Sequence, residues 1–322
     1  MANRKNIAIL GPGRWGTFLA WYCGKNDFNV RLWGRENSES FQSLKNGKAN
    51  NYLQLPQDIV FSDVLNETVA WADIILIAIQ AQGFRKFCKD LTSAGIHNKQ
   101  VILCMKGLEA ESGKRLSEII REECNATQVA VWAGPGHVQE FVKGHPNAMV
   151  MSAESHQLSV DLSATFSSRL IRFYHSDDLT GTEIGAAAKN VMGLAAGLLD
   201  GLDLGTLKGA LMSRGAAEIS RLVKAMGGNE MTVYGLSHLG DYEATLFSPF
   251  SQNRQYGEAL AKGIPYPKLA EGVATTKGLL KLAQGHQLEL PITEAVHSIL
   301  FENKTPKEAL TELFLRPGKM EF

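Results

Sequence analysis

Residues 6–25 read NIAILGPGRWGTFLAWYCGK, and the character of the chain changes at Gly11. The apolar run 7–10 has no polar alternation, as suits a strand buried on both faces of a parallel sheet. Gly11, Gly13 and Gly16 then spell G-x-G-x-x-G, and a helical pattern over 15–25 follows. In that setting the first glycine permits a tight turn, the second lets a pyrophosphate approach the backbone, and the third lets helix and strand pack closely. The helix N-terminus then faces the negative charge. A structural turn without a ligand is the competing reading.

Outward from this stretch the rhythm repeats. Apolar runs at 30–33, 74–79, 101–105, 129–133 and 148–151 alternate with helical patterns such as 114–123. This predicts an α/β Rossmann-type N-terminal domain with a doubly wound, mostly parallel sheet. From Asp178 onward the strand signal stops, and Ala, Gly and Leu recur at helical spacing over 183–199, 208–226 and 267–284. An all-α C-terminal domain is expected, with the dinucleotide-binding domain at 1–178 and a helical substrate-binding and catalytic domain at 179–322. Gly193 and Gly197, four apart on one helical face, admit a second backbone at close range. Thr305, Pro306 and Glu308 supply an N-cap, an N1 proline and an N3 acid for a last helix.

Composition narrows the function. The formal charge is zero, so no general basic field favours nucleic acid or an anionic membrane surface. The stretch 184–199 is shorter than the roughly 20 residues of a membrane span and carries Lys189 and Asn190 near its middle. Cys23, Cys88, Cys104 and Cys124 form no C-x-x-C pair and suit a reducing, cytoplasmic compartment. The eight histidines show no zinc-binding spacing, and no metal is expected. A small-molecule substrate is the expected partner; a homodimer is compatible with the sequence, which does not fix the oligomeric state.

Nucleotide choice depends on the end of the second strand, where an NAD-selective site usually places an acid. Here Gly34, Arg35 and Glu36 follow the run 30–33. Arg35 can clasp a 2′-phosphate or stack on adenine, while Glu36 can reach a ribose hydroxyl, so the sequence leans toward NADP(H) and admits NAD(H). A solvated loop charge is the alternative for Arg35.

Further segments make the reading specific. They are GPGRWGT at 11–17, MKGLE at 105–109, AGPGHVQE at 133–140, EIGAAAKNVMGLAAGLLDGL at 183–202 and GLSHLGDYEATLFSPFSQNRQYG at 235–257. In these, in their order and in their spacing, the chain resembles the bacterial NAD(P)-dependent glycerol-3-phosphate dehydrogenases along nearly its whole length. The resemblance implies interconversion of dihydroxyacetone phosphate and sn-glycerol 3-phosphate by hydride transfer, the product feeding phospholipid synthesis. It implies Lys189 as catalytic lysine, Lys106 as a second lysine at substrate and nicotinamide, and Asp241 as the acid partner. Asn190, Ser251 and Asn253 match substrate positions, and Gly134 and Gly136 match positions that help hold the substrate. Besides the glycines Gly11, Gly13 and Gly16, cofactor contacts carry over to Arg14, Trp15, Arg35, Lys106, Val138, Leu269 and Glu271.

Two positions depart from the family pattern. Gly136-His137-Val138 stands where a Ser or Thr, then Phe, then Ala is usual. Gln252 stands where an arginine is expected to meet substrate phosphate and cofactor, and glutamine carries no permanent charge. Arg254 is the nearest permanent charge; with Gln252, Asn253 and backbone N–H groups it forms the expected substitute donor set.

The chemistry suits a lysine. Hydride transfer to a ketone leaves negative charge on oxygen, which an ammonium polarises and then protonates. Lys189 lies among small residues on a helix expected to be buried, where a charge calls for a partner, and Asp241 is the candidate. A purely structural ion pair, with Asp241 or Glu183, is the alternative. His137 and His238 are read either as substrate donors or as structural histidines. Two rival functions stay open: a dehydrogenase of another hydroxy acid or phosphorylated hydroxy compound, which Gln252 favours, and a catalytically inert NADP(H)-binding module, against which the two lysines and Asp241 argue.

Overall fold

The computed structural model describes residues 4–126, 128–318 and 320–321. The chain divides into two compact units: one runs up to Lys106 and resumes over Arg115–Leu179, and the other comprises Gly107–Lys114 and the chain from Thr180 onward.

The first unit holds eight strands, β1 (Asn6–Leu10), β2 (Asn29–Trp33), β3 (Val60–Ser62), β4 (Ile74–Ile77), β5 (Gln100–Leu103), β6 (Gln128–Ala133), β7 (Asn147–Ala153) and β8 (Ile171–Ser176). Their order across one sheet is β3-β2-β1-β4-β5-β6-β7-β8. All neighbours run parallel except β6 and β7, which pair antiparallel. The doubly wound, mostly parallel sheet is therefore as expected. Its centre is apolar because helices cover both faces: Ile7, Ile9, Ile75, Leu76 and Ile102 have no exposed surface. The helices are α1 (Arg14–Gly24), α2 (Glu39–Gly47), α3 (Leu65–Trp71), α4 (Phe84–Ser93), α5 (Leu116–Cys124), α6 (Val138–Val142) and α7 (His156–Phe166). Strand order reverses between β1 and β4, so the loop after β1 opens at the switch point where open α/β sheets bind ligands.

The second unit is helical: α8 (Leu179–Gly201), α9 (Lys208–Ala225), α10 (Gln252–Ala261), α11 (Glu271–Gly285), α12 (Pro291–Phe301) and α13 (Pro306–Phe314). No described residue beyond Ser176 belongs to a strand, in keeping with the all-α expectation. The helical pattern over 267–284 starts late. Pro265 and Pro267 keep the residues before them extended, and α11 opens only after Ala270, at φ −120° and ψ 103°. Segment 107–114 joins this unit because Leu108, fully buried, lies in its core; a Cβ on Gly278 of α11 would stand 2.9 Å from that of Leu108.

The glycines of α8 set the spacing of its neighbour α10. A Cβ on Gly197 would lie 1.9 Å from the Arg254 carbonyl oxygen, and one on Gly201 2.5 Å from Ala261 Cβ. From the other side, a Cβ on Gly257 would lie 2.1 Å from the Leu194 carbonyl oxygen. The two helices thus meet backbone to backbone, which fixes α10 along the C-terminal half of α8.

Buried Glu218 on α9 caps α12, whose own N-cap residue, Leu290, has no polar side chain. Its carboxylate accepts from Ile292 N at 2.8 Å, Thr293 N at 3.1 Å and Thr293 Oγ1 at 2.7 Å. Burial nevertheless raises its pKa from the usual 4.5 to about 7. The folded state holds this proton more tightly, so the contribution is full below pH 4.5 and is lost as pH rises through about 7. Glu218→Gln removes this titration. Between pH 5 and pH 8 the wild type should lose roughly 2–3 kcal/mol relative to the variant in urea unfolding; a difference that does not vary with pH contradicts this.

Candidate active site

In the first unit the loop between β1 and α1 has the form of a dinucleotide cradle. Gly11 sits at φ +117°, and a Cβ there would stand 2.4 Å from the Ala78 carbonyl oxygen just past β4. A Cβ on Gly16 would lie 1.9 Å from the Gly11 carbonyl oxygen, so helix and loop touch directly. Gly13 differs: a Cβ there would meet nothing within 4 Å. The N-terminus of α1 carries no side-chain cap and no acid in its first turn. Open space over Gly13 and uncapped backbone N–H groups suit a pyrophosphate, so these residues fit the expected nucleotide.

Around this loop, Arg14 lies over the Tyr52 ring at 5.6 Å, and Trp15 packs against Phe18 and Phe141. Arg35 and Glu36 are exposed just beyond β2, and among the described residues the Arg35 side chain makes no ion pair or hydrogen bond. Val138 is buried at the start of α6 and packs in the sheet's core, so its side chain is committed there. Lys106, following β5, donates from Nζ to the Gly134 carbonyl oxygen at 2.7 Å, bringing two of the expected site positions together. Gly134 is at φ +126° with Met149 Cα 2.9 Å from a Cβ it lacks, a conformation and a space closed to other residues. Gly136 backs onto Phe141, whose ring would lie 2.3 Å from an added Cβ.

In the second unit α8 carries Lys189 to a buried carboxylate. Lys189 Nζ lies 2.9 Å from Asp241 Oδ2 and donates to Thr245 Oγ1 at 2.9 Å; the side chains of Lys189 and Asp241 are 12% and 1% exposed. The Thr245 hydroxyl in turn lies 3.5 Å from Asp241 Oδ1. Thr245 was not singled out in the sequence. Its offset of four from Asp241 is the available signal, and the chain there runs through a π-helical turn at Glu243–Phe247, an uncommon geometry that often marks functional sites.

His238 belongs to the frame. Its Nδ1 bonds the Gly185 carbonyl oxygen at 2.8 Å, and its Nε2 accepts from Tyr242 Oη at 2.6 Å. Burial lowers its pKa to about 4, which keeps the ring neutral near pH 7. Of the two readings, the structural histidine is the one the geometry supports.

The first turn of α10 adds the remaining polar positions. Ser251 caps the helix by accepting from Arg254 N at 3.3 Å. Asn253 Nδ2 donates to Asn190 Oδ1 at 3.1 Å while its Oδ1 accepts from Gly272 N at 2.9 Å, tying α10 to the residue after Lys189 and to α11. Gln252 Oε1 accepts from Tyr266 Oη at 2.6 Å. Arg254 is engaged elsewhere: Nε bonds Asp200 Oδ2 at 2.7 Å, and Nη2 lies 3.6 Å from Glu258. A phosphate at Arg254 would compete with two carboxylates, so this arginine is a weaker substitute donor than its sequence position suggests. Leu269 is 56% exposed before α11, and Glu271 is that helix's first residue.

The glycine-rich loop of the doubly wound sheet fits a dinucleotide, and the helical unit buries a lysine against a carboxylate, both features of the dinucleotide-dependent oxidoreductases. Comparison with known proteins narrows the class. Residues 6–159 match the model of the NAD-dependent glycerol-3-phosphate dehydrogenase N-terminus, and residues 178–311 that of its C-terminus. The chain therefore belongs to the NAD-dependent glycerol-3-phosphate dehydrogenase family. It is 38% identical over 330 residues to a glycerol-3-phosphate dehydrogenase [NAD(P)+] of Fusobacterium nucleatum, covering 98% of each chain. With its counterpart from Chlorobium chlorochromatii the identity is 34% over 98% of this chain and 99% of that one. The crystal structure of a Coxiella burnetii glycerol-3-phosphate dehydrogenase superposes with a TM-score of 0.90 at 31% identity, covering 97% of this chain and 99% of that one. Among the described residues no cluster of metal ligands occurs, and no helix is long and apolar enough to cross a membrane.

The lysine and its carboxylate should hold each other in place. Asp241→Asn removes the carboxylate charge 2.9 Å from a nearly buried ammonium, and equilibrium unfolding at pH 7 should show a loss of about 3 kcal/mol. A loss below about 0.5 kcal/mol, the scale of an ordinary surface substitution, contradicts the pairing.

Proposed function

We propose that this chain interconverts dihydroxyacetone phosphate and sn-glycerol 3-phosphate with NAD(P)H, and that Lys189 is its proton donor. The observation that carries the reading is the Lys189, Asp241 and Thr245 cluster, buried in a chain that matches the family over nearly its full length. The reduced nicotinamide, when bound, supplies the hydride. The Lys189 ammonium polarises the substrate carbonyl and gives a proton to its oxygen; in the reverse direction the neutral amine takes that proton back. Asp241 sets a carboxylate 2.9 Å from the lysine Nζ, and Thr245 fixes the direction of its N–H bonds.

The unit bearing the sheet holds the nucleotide. Gly11, Gly13, Gly16 and the N-terminus of α1 take the pyrophosphate, with Arg14 and Trp15 beside them, and exposed Arg35 reads a 2′-phosphate, the observation behind a preference for NADP(H). Val138 contributes through its backbone, and Lys106, steadied on Gly134, meets substrate and nicotinamide. The resemblance assigns Leu269 and Glu271 to the cofactor, and Asn190, Ser251, Gln252 and Asn253 to the substrate.

We place the enzyme in the cytoplasm, where its four buried free cysteines stay reduced. It acts there as a homodimer. Met231, Tyr234 and Phe314, exposed by 63%, 40% and 68%, border an apolar cavity of about 1560 Å³ in the helical unit, a surface that suits burial against a second copy.

Absorbance at 340 nm tests the activity: NADPH should be oxidised with dihydroxyacetone phosphate and far more slowly with unphosphorylated dihydroxyacetone. Equal rates favour a different hydroxy compound as the natural substrate. Arg35→Ala should raise the KM for NADPH about tenfold while changing that for NADH little, the worth of a charge-assisted hydrogen bond. Equal effects on both cofactors contradict the role of Arg35.

A further inference from the structure

Gln252 opens α10 with a side chain whose two ends are chemically distinct, a carbonyl oxygen that accepts and an amide nitrogen that donates two protons. What it offers a ligand depends on which end faces inward. Tyr266 decides this. Its hydroxyl lies 2.6 Å from Gln252 Oε1, the length of an O–H···O bond and short for N–H···O. The phenol is held in turn, its ring edge-on to Tyr256 at 5.7 Å and its oxygen 3.1 Å from Gln255 Oε1. Gln255 is pinned the same way round, because its Nε2 donates to the Pro249 carbonyl oxygen, which can only accept. A phenol has one proton, and the shorter contact gives it to Gln252.

With its oxygen occupied, Gln252 turns both amide protons away from Tyr266, and among the described residues its Nε2 has no protein acceptor. The same turn of α10 carries Asn253, which touches Asn190 beside Lys189. The Ser251 side chain caps the Arg254 N–H, and the earlier N–H groups of this ten-residue helix lack partners within the helix.

We propose that Tyr266 is a positioning residue that orients the Gln252 amide as a two-proton donor to the substrate's phosphate. This rests on the proposed reduction of a phosphorylated ketone and says how a neutral residue serves at that point. The pair works as a unit: glutamine supplies donors without charge, and tyrosine removes the orientation in which glutamine would present an oxygen to an anion.

Steady-state kinetics on the full chain test this. Tyr266→Phe removes only the hydroxyl; it should raise the KM for dihydroxyacetone phosphate about threefold to tenfold, with kcat, the KM for NADPH and the melting temperature little changed. In a Gln252→Arg background, where no amide remains to orient, the same substitution should leave the KM for dihydroxyacetone phosphate unaltered. An unchanged or lowered KM in Tyr266→Phe alone overturns the proposal, since it means that the amide nitrogen already faced the phenol. So does a parallel fall of kcat and melting temperature, or the same KM effect in the arginine background, because either marks Tyr266 as packing. A wild-type chain that does not reduce dihydroxyacetone phosphate overturns the functional reading and this inference with it, whereas an active wild type with an indifferent Tyr266→Phe overturns this inference alone.

Discussion

Lys189 and Asp241 place opposite charges 2.9 Å apart where almost no water reaches, and much of the helical unit is arranged around that pair. An ammonium moved out of water loses several kcal/mol of solvation, which only a close carboxylate and further hydrogen bonds offset. Asp241 supplies the charge, and Thr245 adds an acceptor from the π-helical turn that follows. Nearby, His238 is held uncharged by burial and by bonds at both ring nitrogens. A second cation there would weaken the hold of Asp241 on the lysine.

The pair also explains the small residues of α8. A lysine in the middle of a buried helix needs neighbours that come close without covering its ammonium. Gly193, Gly197 and Gly201 provide this along one stripe: Gly193 faces Thr245 and Asn253, Gly197 and Gly201 face the backbone of α10. Close approach lets Asn253 reach both Asn190 and the N–H of Gly272, so three helices converge beside Lys189 without a bulky side chain between them. Farther along, Asp200 at the end of α8 binds Arg254 and Lys208, and Lys208 also donates to the Leu246 carbonyl oxygen. That network locks the far side of α10 and occupies Arg254.

Much of this was legible in the sequence, and what was not has physical reasons. The central strands announced themselves as apolar runs because both their faces are covered. β3 and β8 escaped because they are edges: Val60 is 51% exposed, and β8 buries Ile171 and Phe173 while turning Arg172 and Tyr174 outward. The membership of 107–114 in the helical unit rests on Leu108 meeting Gly278, a contact 170 positions apart that no local pattern reports. Asp241 could be named as the partner of Lys189 from the resemblance, but the 2.9 Å distance between them and their burial needed the fold. Thr245 was hidden because a π turn breaks the usual helical period, and Tyr266 because its significance depends on the unusual Gln252.

The role of Lys189 can be tested more directly than through any steady-state constant. Lys189→Met, loaded with NADPH and mixed with saturating dihydroxyacetone phosphate, isolates the chemical step as a single-turnover decay at 340 nm, with cofactor binding checked by nucleotide fluorescence. If this lysine delivers the proton, the decay should slow by about 10²–10⁴-fold while NADPH binding is kept. A variant that binds NADPH normally and turns over at the wild-type rate would contradict the assignment of Lys189 as proton donor.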